Sequence, residues 1–169
     1  MLSLRPLELQ DADAIFRWHS DPELFEHLVG DYRPVQRENV REWLARRMAS
    51  SDIERNYAIC RSGEHVGNLY LRDIDWEKGC AELHVFIGDA SNRGQGIGTE
   101  AMRLALDQAF GALALKEVFL HVLATNQSAI RLYERCGFTL QGKRAAPAEK
   151  RCGTVDVLRM SLRKAKREP

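Results

Sequence analysis

Asp89 to Glu100 reads DASNRGQGIGTE and joins an alternating apolar run to a stretch with helical periodicity. Glycines stand at every second position, Gly94, Gly96 and Gly98. The main chain there has little side-chain cover and is free to take positive φ. A glycine-rich turn that opens into a helix presents unpaired N–H groups, and these, with the helix dipole, bind anions. The stretch is a candidate site for a cofactor that carries a diphosphate.

Two familiar phosphate loops do not fit. A P-loop needs G-x-x-x-x-G-K-[ST], but Gly98 is followed by Thr99 and the turn holds no lysine, so nothing reaches a γ-phosphate. The dinucleotide fingerprint G-x-G-x-x-G fails by one position, with Thr99 where the third glycine should be. It also needs an acid at the end of the following strand, whereas Glu117 opens the next β-rich run.

What the turn does match is Arg93-x-x-Gly96-x-Gly98, and a second block follows in NQSAIRLYERCGF, Asn126 to Phe138. Together they resemble the GCN5-related N-acetyltransferases (GNAT), whose acyl-CoA motif [RQ]-x-x-G-x-[GA] lies between a strand and a helix. The resemblance covers roughly residues 55 to 160, and the N-terminal third matches in outline. The layout, from LRPLELQDAD through AELHVFI to VFLHVLATN, is similar to the branch of ribosomal-protein alanine and spermidine N-acetyltransferases. Aminoglycoside and amino-sugar acetyltransferases are similar at this level too.

The resemblance implies an α/β (α+β) fold: a mixed, mostly antiparallel sheet flanked by helices, with splayed central strands. It implies acetyl-CoA as co-substrate, no metal, and direct transfer in a ternary complex to a primary amine, either a protein N-terminus or a small amine. The alternative is a module that binds acyl-CoA without catalysis. Main-chain amides across Arg93, Gly94, Gln95, Gly96, Ile97, Gly98 and Thr99 would hold the pyrophosphate, with Arg93 adding charge. In proteins of this resemblance the strand before the turn carries a bulge and exposes its edge. That places Val85, Phe86 and Ile87 along the cofactor, with an N–H near Phe86 facing the thioester oxygen.

Tyr133 is the candidate general acid, since a phenol with a pKa of about 10 keeps its proton at neutral pH. Asn126 lies seven residues earlier, about two helical turns away and on the same face; it would cap the helix and bond the pantetheine arm. The competing reading makes Tyr133 a core aromatic and Asn126 only a cap. Glu82 is the candidate base, directly or through water, or else an exposed strand residue in a cross-strand ion pair. His84 and His121 are the other candidates for that role.

Working outward, Cys80 to Ile87 alternates Ala81, Leu83, Val85 and Ile87 against Glu82, His84 and Phe86, which predicts a strand. Strands are also expected at 57–60 and 66–73 around Ser62-Gly63, and at 118–123, 138–141 and 154–162, the last two joined by a loop containing Pro147. Residues 2–9 read as a further strand, on the sheet edge because of Pro6. Helices are expected at 11–20, 35–48, 99–110 (ending at Gly111) and 126–136, with a helical turn at 23–28. Val40, Trp43, Leu44 and Met48 share one helix face, and Trp18 and Trp43 are expected in the core.

With 169 residues, 44% hydrophobic, 29% charged and a net charge of +1, the chain reads as one acetyltransferase domain over 1–162 and a basic tail over 163–169. The charge balance gives no reason to expect a nucleic-acid partner. No apolar run is long enough to span a bilayer, and no secretory signal opens the chain, so a cytoplasmic protein without a membrane partner is expected. Cys60, Cys80, Cys136 and Cys152 show no zinc spacing and are expected as free thiols. Assembly as a homodimer is left open. Residues 1–35 hold seven acids (Glu8, Asp11, Asp13, Asp21, Glu23, Glu26, Asp31) against three bases (Arg5, Arg17, Arg33), a balance that favours a cationic acceptor.

Overall fold

Two-residue alternation of apolar side chains builds the centre of the structure, a computed structural model that describes residues 1–29, 34–49, 51–148 and 153–165. Asp31, Arg33, Cys152 and residues 166–169 of the basic tail lie outside the described residues. Seven strands form one sheet: β1 (Leu2–Pro6), β2 (Arg55–Arg61), β3 (Glu64–Asp75), β4 (Cys80–Ile87), β5 (Glu117–Leu123), β6 (Thr139–Ala148) and β7 (Gly153–Arg163). Their order is β1-β2-β3-β4-β5-β7-β6, with β1 on an edge as Pro6 requires. The β4–β5 pair is parallel and all the others are antiparallel.

Helices α1 (Ala12–His19), α2 (Pro22–Glu26) and α3 (Arg37–Met48) follow β1; α4 (Ile97–Leu106) crosses from β4 to β5, and α5 (Gln127–Arg135) follows β5. A parallel pair needs such a crossover. The alternation sorts the side chains into two cores. Ile59, Leu69, Leu71, Leu83 and Val118 face Ile97, Ala101, Met102 and Ala105 of α4 and Ile130 of α5. Ala58, Cys60 and Tyr70 face Ile15 and Trp18 of α1, Leu24 of α2 and Val40 and Leu44 of α3. The sheet therefore lies between α4 and α5 on one side and the three N-terminal helices on the other.

Several expectations are corrected. The fourth helix starts at Ile97, and Gly111 does not end it: the chain passes into a π-helical turn, Asp107–Ala112, closed by bonds from the Leu113 amide to Gln108 O and the Leu115 amide to Ala109 O, both 2.9 Å. Pro147 lies in β6 opposite Thr154, not in a loop; β6 is an outer strand, where a missing N–H is tolerated. Met48 is exposed, and Trp43 is partly buried and packs on the core of the N-terminal helices. Cys60, Cys80 and Cys136 are free thiols.

Trp18 locks α1 to the end of β4. Its indole lies against Gly88, where a Cβ would come within 1.9 Å of Cε2, and its ring meets Phe86 edge-on at 5.9 Å. Gly88→Ala is expected to lower stability by about 1–3 kcal/mol, as overpacking in a close-packed core does. A denaturant midpoint equal to that of the wild type would show that Trp18 does not depend on this contact.

Candidate active site

β4 and β5 pair only through Cys80↔Glu117, Ala81↔Val118 and Glu82↔Phe119. Beyond Glu82 the strands part, while β4 stays paired with β3 up to Ile87 and β5 with β7 up to Leu123. The edge of β4 from His84 to Ile87 is therefore open on the β5 side. The Gly88 amide donates to Val66 O of β3 at 2.9 Å. Continued two residues at a time, this turns the Phe86 amide toward β3 and leaves the N–H groups of Val85 and Ile87 facing the gap. The donor expected near Phe86 is thus a neighbour's. The expected bulge is not in this part of β4; the register shift lies between Arg72 and Asp75 of β3, where Asp73 takes φ 51°.

At the mouth of the gap, Gly94 and Gly96 adopt φ of 74° and 78°, and a Cβ at either would meet nothing within 4 Å. They are needed for backbone conformation and leave open space above the turn. Gly98 serves differently: its Cβ would lie 3.2 Å from Leu132 Cδ2, so it lets α4 approach α5. The amides of Arg93 and Thr99 bond to Ala90 O and Gly96 O. Those of Gly94, Gln95, Gly96, Ile97 and Gly98 have no partner among the described residues. They form a run of donors at a helix N-terminus, the arrangement a diphosphate fits. The Arg93 guanidinium reaches back to Gly88 O at 2.7 Å and Ile87 O at 3.4 Å, so it ties the turn to β4. Gln95 accepts from Arg61 Nη1 at 2.6 Å. A concavity of about 370 Å³ borders the other flank of the turn, between Met1, Leu2 and Arg61 and the start of α4.

Asn126 caps α5, its Oδ1 accepting from the Ala129 amide at 3.1 Å. Its Nδ2 donates to His27 O at 2.9 Å, which ties α5 to the end of α2 and leaves one amide hydrogen for a ligand. Tyr133 packs against the α4-side core and Phe138, ring centroids 6.0 Å apart. Burial pushes its pKa up to about 12.

On the opposite face of β4, Glu82 sits between two imidazoles, 2.6 Å from His121 Nδ1 and 3.4 Å from His84 Nε2. The contact with His84, aided by that with His121, holds its pKa down to about 2 against the effect of desolvation. A carboxylate this acidic is a poor proton acceptor. Among the described residues, no group of histidine, cysteine and carboxylate side chains is arranged to hold a metal.

A family model described as an acetyltransferase (GNAT) domain matches residues 1–139. The chain belongs to the GNAT acetyltransferase family. The match takes in the N-terminal third, which by sequence fitted only in outline. A spermidine N(1)-acetyltransferase of Vibrio cholerae is 28% identical over 142 residues, 83% of this chain and 80% of that one. A probable N-acetyltransferase, YjcK, of Bacillus subtilis is 31% identical over 151 residues, 82% and 81% of the two chains. The crystal structure of spermidine N-acetyltransferase from Vibrio cholerae in complex with CoA and spermine aligns with a TM-score of 0.87 at 24% identity, covering 96% of this chain and 95% of that one; this likeness carries the fold.

This acetyltransferase uses acetyl-CoA as its acetyl donor. Two of its N-terminal acids are neutralised locally and a third serves as a cap. Asp11 is held by Arg5 at 2.7 Å and Asp13 by Arg37, while Asp21 caps α2 through the Glu23 amide. Sequence reasoning missed the ring contacts that join His19, Trp43 and Phe86 on this face, because no spacing shows that α1 and α3 meet there.

The low pKa of Glu82 also bears on folding. A carboxylate depressed from 4.5 to about 2 adds stability above its unfolded pKa and loses it as pH falls toward 2. The stability advantage of the wild type over Glu82→Gln is expected to shrink as the pH falls from about 4.5 toward 2. A difference unchanged across that range in urea titrations would contradict the His84–Glu82–His121 arrangement.

Proposed function

We propose that the enzyme acetylates a primary amine, on a small molecule or a protein N-terminus, by direct attack within a ternary complex. The observation that carries this reading is the run of five amides, Gly94 to Gly98, that have no partner among the described residues, beside the open edge of β4. Acetyl-CoA supplies the activated acetyl group. The amides and the α4 dipole receive its diphosphate, and the Val85 and Ile87 N–H groups face the pantetheine arm and the thioester oxygen. One preorganised donor of that kind is worth about 3 kcal/mol in a water-poor site.

The acceptor arrives as an ammonium, since an alkylamine has a pKa above about 10 and only about one molecule in a thousand is free at pH 7. Glu82 stays charged at every working pH and draws the ammonium in. The proton passes to an imidazole that Glu82 orients, His121 or His84, directly or through water. The role first read for Glu82 is thus divided between the carboxylate and its partners. On the far side Tyr133 keeps its proton at neutral pH and donates a hydrogen bond to the sulfur as negative charge develops there. With its pKa near 12, the phenol completes the transfer only as the thiolate loses its solvent.

Tyr133→Phe is expected to lower kcat by about 10²–10⁴-fold while acetyl-CoA still raises the melting temperature as it does for the wild type. Unchanged turnover would remove Tyr133 from the mechanism. The Vibrio cholerae relative acts on spermidine, so thiol release is to be measured with polyamines, aminoglycosides, amino sugars and peptides with free N-termini. Release with none of them would contradict amine acetylation.

A further inference from the structure

Between α1 and α3 lies a pocket of about 260 Å³, walled by Ile15, His19, Val35, Val40, Trp43 and Arg46. Ring contacts run from its walls to Phe86 of β4. The Trp43 and His19 centroids are 6.1 Å apart, and those of His19 and Phe86 6.4 Å. Phe86 lies two residues beyond His84 on the same face of β4, so the pocket and the Glu82 cluster share one side of the sheet.

The chemistry of the walls does not suit a second ammonium. Among the described residues the one formally charged side chain on the lining is a cation, Arg46. His19 is kept neutral, because burial first and the charge of Arg72 second lower its pKa. Of the carboxylates on the two helices around it, Asp13 of α1 is taken up by Arg37, and Glu38 and Glu42 of α3 are not on the lining. Placing a cation against this lining would cost desolvation with no counter-charge to offset it. Ile15, Val35, Val40 and Trp43 instead offer what an apolar group needs, in a space larger than the cavity of about 150 Å³ that accepts benzene in an engineered core.

We infer that the acceptor is a primary amine borne on a neutral, apolar body, such as a phenyl or branched alkyl group, which this pocket receives while the nitrogen lies over His84 and Glu82. The inference rests on the acetyl-transfer reading above and narrows its acceptor. Free arylalkylamines and peptides with an apolar first residue share this chemistry.

The test measures thiol release by the full chain with ethylamine, phenethylamine, a dipeptide amide beginning with phenylalanine, and spermidine. Filling an apolar pocket is worth about 10–200-fold per methylene-sized step, so kcat/KM for phenethylamine or the peptide is expected to exceed that for ethylamine by at least about tenfold. Which of the two leads identifies the source of the amine. Asn39, exposed and on the pocket lining, allows a variant that removes no core atoms: Asn39→Trp should collapse the ratio toward one, as should Trp43→Ala. A melting shift with acetyl-CoA confirms that each variant is folded. Spermidine preferred over phenethylamine, or a ratio that survives Asn39→Trp, would overturn the inference and leave acetyl transfer standing. No thiol release with phenethylamine or the peptide would overturn this inference, and only the further absence of release with aminoglycosides and amino sugars would overturn the acetyl-transfer reading with it.

Discussion

The parallel pairing of β4 with β5 stops after Glu82↔Phe119, and the site is arranged around that separation. A central strand normally has both edges bonded, and an unpaired edge inside a protein is costly unless something fills it. Here the outer strands hold the gap open. β4 is fixed to β3 along its whole length and β5 to β7, so neither can swing over to close it. Arg93 braces the end of β4 through Ile87 O and Gly88 O, and Trp18 presses on Gly88 from the opposite face.

The same separation explains the placement of the helices. α4 starts where β4 ends, so its unsatisfied N-terminal amides collect at the mouth of the gap. Gly98 lets α5 lie close to α4 through Leu132, and the Asn126–His27 bond carries the restraint across to α2. On the proposed reading, the cofactor side and the acceptor side are opposite faces of one strand. Tyr133 belongs to the first and Glu82, His84 and Phe86 to the second, an alternation set by nothing more than the two-residue period of β4.

That period is why so much was legible in the sequence. Cys80 to Ile87 alternates without interruption, and the strand has those bounds. Gly94 and Gly96 signalled left-handed backbone, and Asn126 signalled a cap, because each need is local. What stayed hidden depends on distant partners. Arg93 turned toward β4, Glu82 became strongly acidic between histidines from two strands, and Asp11 and Asp13 proved to be paired. The π-helical turn after α4 was hidden too, since Gly111 reads as a stop signal whether or not the chain stops there. The pocket between α1 and α3 exists only through their packing.

The central claim is that the amides of Gly94 to Gly98, with Val85 and Ile87 on the open edge, receive acetyl-CoA. Amide resonances of isotopically labelled protein titrated with acetyl-CoA test it most directly. The account predicts that the largest shifts fall on those seven amides, while Phe86, whose N–H faces β3, moves less. Saturable binding that leaves the Gly94 to Gly98 resonances in place would contradict it.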